Sequence, residues 1–221
     1  LIDADPNFTV QASIYNYGKP FNGNIGVAIY KSTGMLVDYM DIKTLRHSAA
    51  HVMAYAVTQL WPETKLDIGP ATDEGFYYDF DLPHRLGEED FAAIEKKMAE
   101  IAAADCPFER IEMPRADAKA FLEGRGQTYK VERLADIPEG EAISFYKCGD
   151  YWDLCRGPHV PSTGCVKAFK ITSVAGSYYR GDSRNPMMQR LYGIAAESQA
   201  EIDATLARIE EAKKRDHRRL G

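Results

Sequence analysis

The sequence predicts an α+β fold in which an antiparallel sheet is packed by helices. Three observations lead there. Gly75-Phe-Tyr-Tyr-Asp-Phe-Asp81 alternates Phe76, Tyr78 and Phe80 against Tyr77, Asp79 and Asp81, the period of a strand with two different faces. Residues 43–60 and 88–104 repeat their apolar positions at helical spacing instead, and a third such pattern closes the sequence. The chain has 221 residues, 45% of them hydrophobic, enough to bury a core of its own.

Residues 1–39 read as a β-rich segment, alternating through Phe8, Val10, Ala12 and Ile14 with turns at Gly18–Gly23 and Ser32–Gly34, and they carry no recognisable chemistry. A change of composition at Met40 marks a boundary, after which the main domain spans residues 40–196. Its first helix runs from Lys43 or Thr44 to Leu60 and stops before Pro62, because the residue preceding a proline is pushed out of the α region. Val52, Ala56 and Leu60 form its apolar stripe. Glu88 to Ala104 is an amphipathic scaffolding helix with Phe91, Ile94, Met98 and Ile101 inward. A shorter helix, Ala116 to Glu123, is closed by Gly124 as a C-cap, and Tyr129-Lys130-Val131 then opens a strand or extended segment. A strand over Ala168–Val174 leads into Ala175-Gly-Ser-Tyr-Tyr-Arg-Gly-Asp-Ser183, whose glycines let a ligand approach the backbone. Residues 197–221 form a long helix with Ile202, Leu206, Ile209 and Ala212 on one side and a basic end.

The 27 Lys and Arg against 33 Asp and Glu leave a net charge of −6, which argues against a protein that coats nucleic acid by bulk electrostatics. Basic patches remain at Lys213–Arg219 and in the series Arg156, Arg180, Arg184 and Arg190. There is no apolar run near membrane-spanning length and no secretion signal, so no membrane association is expected and the setting is cytoplasmic. Cys106, Cys148 and Cys165 then read as ordinary reduced thiols.

The chemistry lies in two short pairs. Arg46-His-Ser-Ala-Ala-His51 sets His47 and His51 four apart on a helix, which places both imidazoles on one face. Tyr151-Trp-Asp-Leu-Cys-Arg-Gly-Pro-His-Val160 sets Cys155 and His159 at the same spacing. Brought together by a fold, the four suit either a Cys/His₃ zinc site or a metal-free hydrolytic site.

His47-Ser-Ala-Ala-His51, the Phe-Tyr-Tyr-Asp strand, the Cys155/His159 segment and the Arg-Gly-Asp-Ser run occur in the order that resembles the editing domain of bacterial-type threonyl-tRNA synthetases, over roughly four fifths of the chain from Leu45 onward. The HxxxH and CxxxH pairs are shared with alanyl-tRNA editing domains. The Phe-Tyr-Tyr-Asp and Arg-Gly-Asp-Ser runs favour the threonyl branch. The resemblance implies the threonyl/alanyl editing-domain fold and hydrolysis of serine wrongly esterified to threonine tRNA. The 3′ end of that tRNA is the partner, and residues 197–221 act as a connector toward an aminoacylation domain lying outside this sequence, through which the whole synthetase would dimerise. Residues 1–39 do not resemble the family's own N-terminal domain.

Carried onto this sequence, the resemblance implies that His47 or His51 orients water as a base, and that Lys130 offers positive charge to the oxyanion or terminal adenosine. It also implies that Cys155 and His159 shape the serine pocket, that Asp153 holds the substrate amino group, and that Tyr78 meets adenine or ribose, with Arg156 beside them as a further substrate contact. No metal is favoured. If zinc is present, its ligands are His47, His51, Cys155 and His159, as in the alanyl-type relatives. Two alternatives stay open: a zinc-dependent alanyl-type tRNA deacylase, and a non-catalytic tRNA-binding module.

Overall fold

The computed structural model describes residues 41–219, with 213 and 215–219 as backbone only. The reading of residues 1–39 as β structure lies outside the described residues.

The first helix, α1 (Ile42–Leu60), ends one residue before the Trp61-Pro62 step, as the proline demands. Its alanines leave room for neighbours to close in, and Leu45, Ala49, Val52, Met53 and Ala56 are all fully buried. α1 packs on a four-stranded antiparallel sheet of order β1-β2-β7-β6, in which β1 is Lys65–Leu66, β2 Phe76–Asp81, β6 Ala168–Tyr178 and β7 Met187–Ala196. The alternation of β2 appears as expected at Phe76, Tyr78 and Phe80, which turn into the core. Asp79 departs from it by being buried on the opposite face. Arg190, its cross-strand partner, takes both carboxylate oxygens at 2.7 and 2.8 Å and lies 3.9 Å from the Tyr77 ring centre.

The second helix, α2 (Glu88–Ala103), buries Ile94, Met98 and Ile101 beside α1. A second, three-stranded antiparallel sheet follows, made of β3 (Glu109–Met113), β4 (Ile143–Cys148) and β5 (Tyr151–Leu154), so there are two antiparallel sheets where the sequence suggested one. One face of it, with Ile143 and Phe145, packs on α3 (Arg115–Gly124) and α4 (Thr128–Ala135) through Ala118, Leu122 and Leu134. The other face carries Ser144, Tyr146, Tyr151 and Asp153. The last helix, α5 (Gln199–Arg219), seats Ile202 against Ala168, Ile194 and Ala196 at the end of the larger sheet.

Three local expectations change. The helix terminator is Gly126, not Gly124: Gly124 is still helical, while Gly126 has φ +67° and its N–H bonds Glu123 O as the Gln127 N–H bonds Leu122 O. That pair of bonds is a Schellman motif, whose αL residue glycine supplies without a Cβ penalty. Tyr129-Lys130-Val131 is consequently helical rather than extended, since α4 begins at once and buries Tyr129, Lys130 and Leu134. Finally, β6 runs on through Gly176 to Tyr178, because β7 pairs with it as far as Met187, and the turn falls at Arg180 and Gly181. A Cβ at Gly126 meets no atom within 4 Å, so Gly126→Ala should cost only the conformational term, about 1–2 kcal/mol, readable in a urea titration.

Candidate functional site

The site is built where α1 faces the turn that leaves β5. His47 and His51 stand one helical turn apart on α1, and β5 delivers Cys155 at its exit. Gly157, with φ +74°, and the cis Gly157-Pro158 bond then fold the chain back so that His159 meets the same point. A Cβ at Gly157 would lie 2.3 Å from Tyr146 Oη, so only glycine fits this turn. The four side chains expected to form the site thus converge, with one donor atom from each within 4.8 Å of the others. His159 is sandwiched, its ring stacked on His47 at 4.4 Å on one side and on Phe108 at 4.8 Å on the other. Tyr146 meets it edge-on at 4.4 Å.

Hydrogen-bond partners assign the protons. A carbonyl oxygen only accepts, so His47 carries its hydrogen on Nδ1, 3.0 Å from Gly69 O, and leaves Nε2 as a lone pair 3.0 Å from Cys155 Sγ. Cys155 Sγ accepts from the Gly157 N–H at 3.2 Å and lies 3.5 Å from His159 Nε2. His51 is buried, with Nε2 3.5 Å from Asp153 Oδ2 and a buried Nδ1 that has no hydrogen-bond partner.

Burial is the main force on these groups. It lowers the pKa of His47, with the Gly69 contact partly opposing, and lowers that of His51 well below the ordinary value, helped by the charge His47 and Lys130 would present. His159 is lowered by burial and then by His51 and His47. The Cys155 thiol is pushed up to about 12 by burial, then by the carboxylate of Asp153. Near neutrality the cluster is therefore a thiol among neutral imidazoles, able to accept a proton and rich in lone pairs.

The same shifts set a pH dependence of stability. An unfolded imidazole protonates near 6.5 while the buried three do not, so the unfolded chain binds more protons in that window and stability should fall as pH drops below about 6.5. Above an ordinary thiol value of 9.0 the sign reverses, since folded Cys155 keeps its proton toward 12 and stability should fall as pH rises through that range. Melting temperatures between pH 5 and 10 should trace a dome; a flat acid limb would contradict neutral buried histidines.

Behind the cluster sits one buried carboxylate with four neighbours. Asp153 Oδ2 accepts from Tyr78 Oη at 2.6 Å and Tyr151 Oη at 3.1 Å, and Lys130 Nζ approaches Oδ1 to 2.5 Å as a charge contact rather than a directed hydrogen bond. Burial followed by the Asp153 charge raises both phenols well above their ordinary value. The side chains of Lys130 and Asp153 are only 6% and 2% exposed, and Tyr78 is fully buried. Three of the expected site residues thus meet in this knot directly behind His51: Tyr78 and Lys130 both turn to Asp153. Arg156, expected as a further substrate contact, is exposed and pairs with Glu141 at 2.8 Å.

Sequence reasoning missed Ser48, Tyr151, Phe108, Tyr146 and the Gly69 carbonyl. Ser48 had a signal, as a polar residue on a stripe otherwise apolar. Phe108 had none, since nothing local distinguishes it from a core aromatic.

Three imidazoles and one thiol form a donor set that suits zinc, and these four residues could hold a metal ion. Two of the donor pairs stand at 3.0 and 3.5 Å and all lie within 4.8 Å, close enough for one small ion to be shared among them. The partnerless Nδ1 of His51 and the Nδ1 atoms of His47 and His159, each held by a neighbour, agree with such a use.

Comparison with known proteins places this geometry. The family described as the threonyl and alanyl tRNA synthetase second additional domain matches residues 143–192, which hold β4, β5, the Cys155/His159 turn, β6 and the first part of β7. The threonine–tRNA ligase of Nitratidesulfovibrio vulgaris (strain DP4) is 55% identical over 177 residues, 80% of this chain and 27% of the relative. That of Syntrophomonas wolfei is 53% identical over 189 residues, 84% of this chain and 30% of the relative. That of Clostridioides difficile (strain 630) is 53% identical over 179 residues, 81% and 28% respectively. The chain spans under a third of the length of these relatives. Among the described residues no helix is long and apolar enough to cross a membrane. The comparisons agree with the resemblance read from the four sequence blocks: the chain is similar to threonine–tRNA ligases over about four fifths of its length, and its residues 143–192 match the second additional domain of threonyl and alanyl tRNA synthetases.

Proposed function

We propose that this domain hydrolyses serine from threonine tRNA charged in error. The observation that carries the reading is the convergence of three neutral imidazoles on one thiol in a chain similar to threonine–tRNA ligases. A synthetic site shaped for threonine gains only about 1–3 kcal/mol from the extra methyl group, so serine escapes rejection and a second, hydrolytic site is needed. An aminoacyl ester is already activated, and one placed water with one base suffices. His47 is the best placed base, being less buried than His51 and turning an unprotonated Nε2 to the Cys155 thiol, which a water would have to displace as its partner. It accepts a proton as the water oxygen bonds the ester carbon, then returns it to the departing ribose oxygen. Cys155 and His159 form the wall beside it. Lys130, Asp153, Tyr78 and Tyr151 hold His51 from behind.

The test compares release of amino acid from Ser-tRNA(Thr), Thr-tRNA(Thr) and Ala-tRNA(Ala) by the dialysed protein. Release of serine with threonine and alanine spared supports the reading. Tight tRNA binding with no release of any amino acid sinks it in favour of a binding module.

A second reading is favoured by the partnerless Nδ1 of His51 and the four-donor set: a metal held by His47, His51, Cys155 and His159. Bound there, it would supply Lewis-acid polarisation of an ester carbonyl. Stoichiometric zinc surviving dialysis, with activity lost to a chelator and regained on zinc addition, would select this reading over the metal-free one.

A further inference from the structure

We infer that Ser48 is a positioning residue of this site, whose hydroxyl fixes His159 in the Nδ1–H form and so aims its Nε2 lone pair at Cys155. Ser48 is fully buried in the middle of α1, where a serine gains nothing as a helix former. Its Oγ donates to Thr44 O at 2.9 Å, and a carbonyl can only accept, so the single hydroxyl proton is committed there. Two further groups lie at 3.0 Å from the same oxygen, the Val160 N–H and His159 Nδ1. With its proton already engaged, the hydroxyl can offer them only lone pairs, so Nδ1 of His159 must carry the hydrogen.

The hydroxyl's one proton and two lone pairs are thus all engaged, and one oxygen pins both the ring of His159 and the backbone that follows it onto α1. His47 receives the matching service from Gly69 O. Both rings then turn Nε2 toward Cys155 Sγ, at 3.0 and 3.5 Å. In the other tautomer His159 could donate an N–H to the sulfur only across 3.5 Å, while its Nδ1 lone pair would face the lone pairs of Ser48 at 3.0 Å. A residue unfavourable to its helix yet saturated by contacts from the site is what a functional constraint on a local position looks like.

The effect on rate rests on the hydrolytic reading, while the tautomer assignment does not. Nitrogen-resolved NMR of the histidines in the wild-type chain should show His159 protonated on Nδ1 and bare on Nε2; the opposite tautomer would overturn the inference with no variant needed. Ser48→Ala should mix the tautomers and lower kcat for serine release on the order of 10- to 100-fold with little change in KM, and Ser48→Thr, which keeps the hydroxyl, should restore both. In a His159→Ala background Ser48→Ala should cost nothing further. Full activity with an unchanged tautomer in Ser48→Ala, or an additive loss in the double variant, refutes the assignment. Should the wild type release no serine, the hydrolytic reading fails by itself and the tautomer of wild type and Ser48→Thr decides Ser48. Should Ser48→Ala not fold, those two proteins also decide it.

Discussion

Replacing His47 by alanine is expected to lower the release of serine from Ser-tRNA(Thr) by about 10²–10⁴-fold, the range a positioned general base supplies, while tRNA affinity stays within a factor of two or so. The expectation follows from proton placement. Nδ1 of His47 is tied to Gly69 O, so the ring cannot turn away, and its lone pair sits in the centre of the cluster. His51 is a poorer base: it is more deeply buried, and its Nε2 lies toward Asp153. Alanine would also strip Gly69 O of its donor, so a loss of rate could be mistaken for a loss of structure. Asparagine separates the two. Its side-chain N–H can keep the bond to Gly69 O, yet it has no basic nitrogen, so His47→Asn should melt close to wild type and still be slow. If His47→Asn keeps most of the wild-type rate, His47 is not the base and His51 becomes the residue to remove. Because burial keeps the imidazole neutral below its ordinary value of 6.5, the wild-type rate should also show no fall on crossing pH 6.5 from above.

The parts of this molecule readable in the sequence are those set by short-range geometry. Four-residue spacing on a helix puts His47 and His51 on one face whatever else the chain does, and strict alternation through Phe76, Tyr78 and Phe80 marks one core face of β2. What escaped depends on distant partners. Asp153 looks like a solvent-facing strand residue until a phenol from β2, a phenol on its own strand and a lysine from α4 enclose it. Lys130 reads as part of a strand because Tyr-Lys-Val has strand-like composition, and only the stop at Gly126 makes the segment helical. β3 is short, and three of its five positions in Glu-Arg-Ile-Glu-Met are charged, so the smaller sheet was invisible as a separate layer. β7 was hidden for the opposite reason. Leu191 and Gly193 to Ala196 are buried on both faces, which erases the alternation.

Asp153→Asn should be the most destabilising single change in the site, costing about 3–5 kcal/mol, because it leaves the Lys130 ammonium buried without its counter-charge. The geometry makes the expected loss asymmetric. Lys130 Nζ sits 2.5 Å from Asp153 Oδ1 with its side chain 6% exposed, so it has no way to reach water without moving α4. In the converse change, Lys130→Met, the carboxylate keeps hydrogen bonds from Tyr78 at 2.6 Å and Tyr151 at 3.1 Å, which stabilise its charge. Lys130→Met should therefore cost clearly less than Asp153→Asn, and adding Lys130→Met to Asp153→Asn should recover part of the loss, since the unpaired ammonium is then gone. Urea unfolding of the three variants at pH 7 reads all of this from the midpoints, provided the slopes agree. Equal losses in both single variants would mean that the phenols do not support the carboxylate. The same series reports on function, because Asp153 also lies 3.5 Å from His51 Nε2. A variant that regains stability without regaining serine release would show that Asp153 holds the histidine in place as well as the fold.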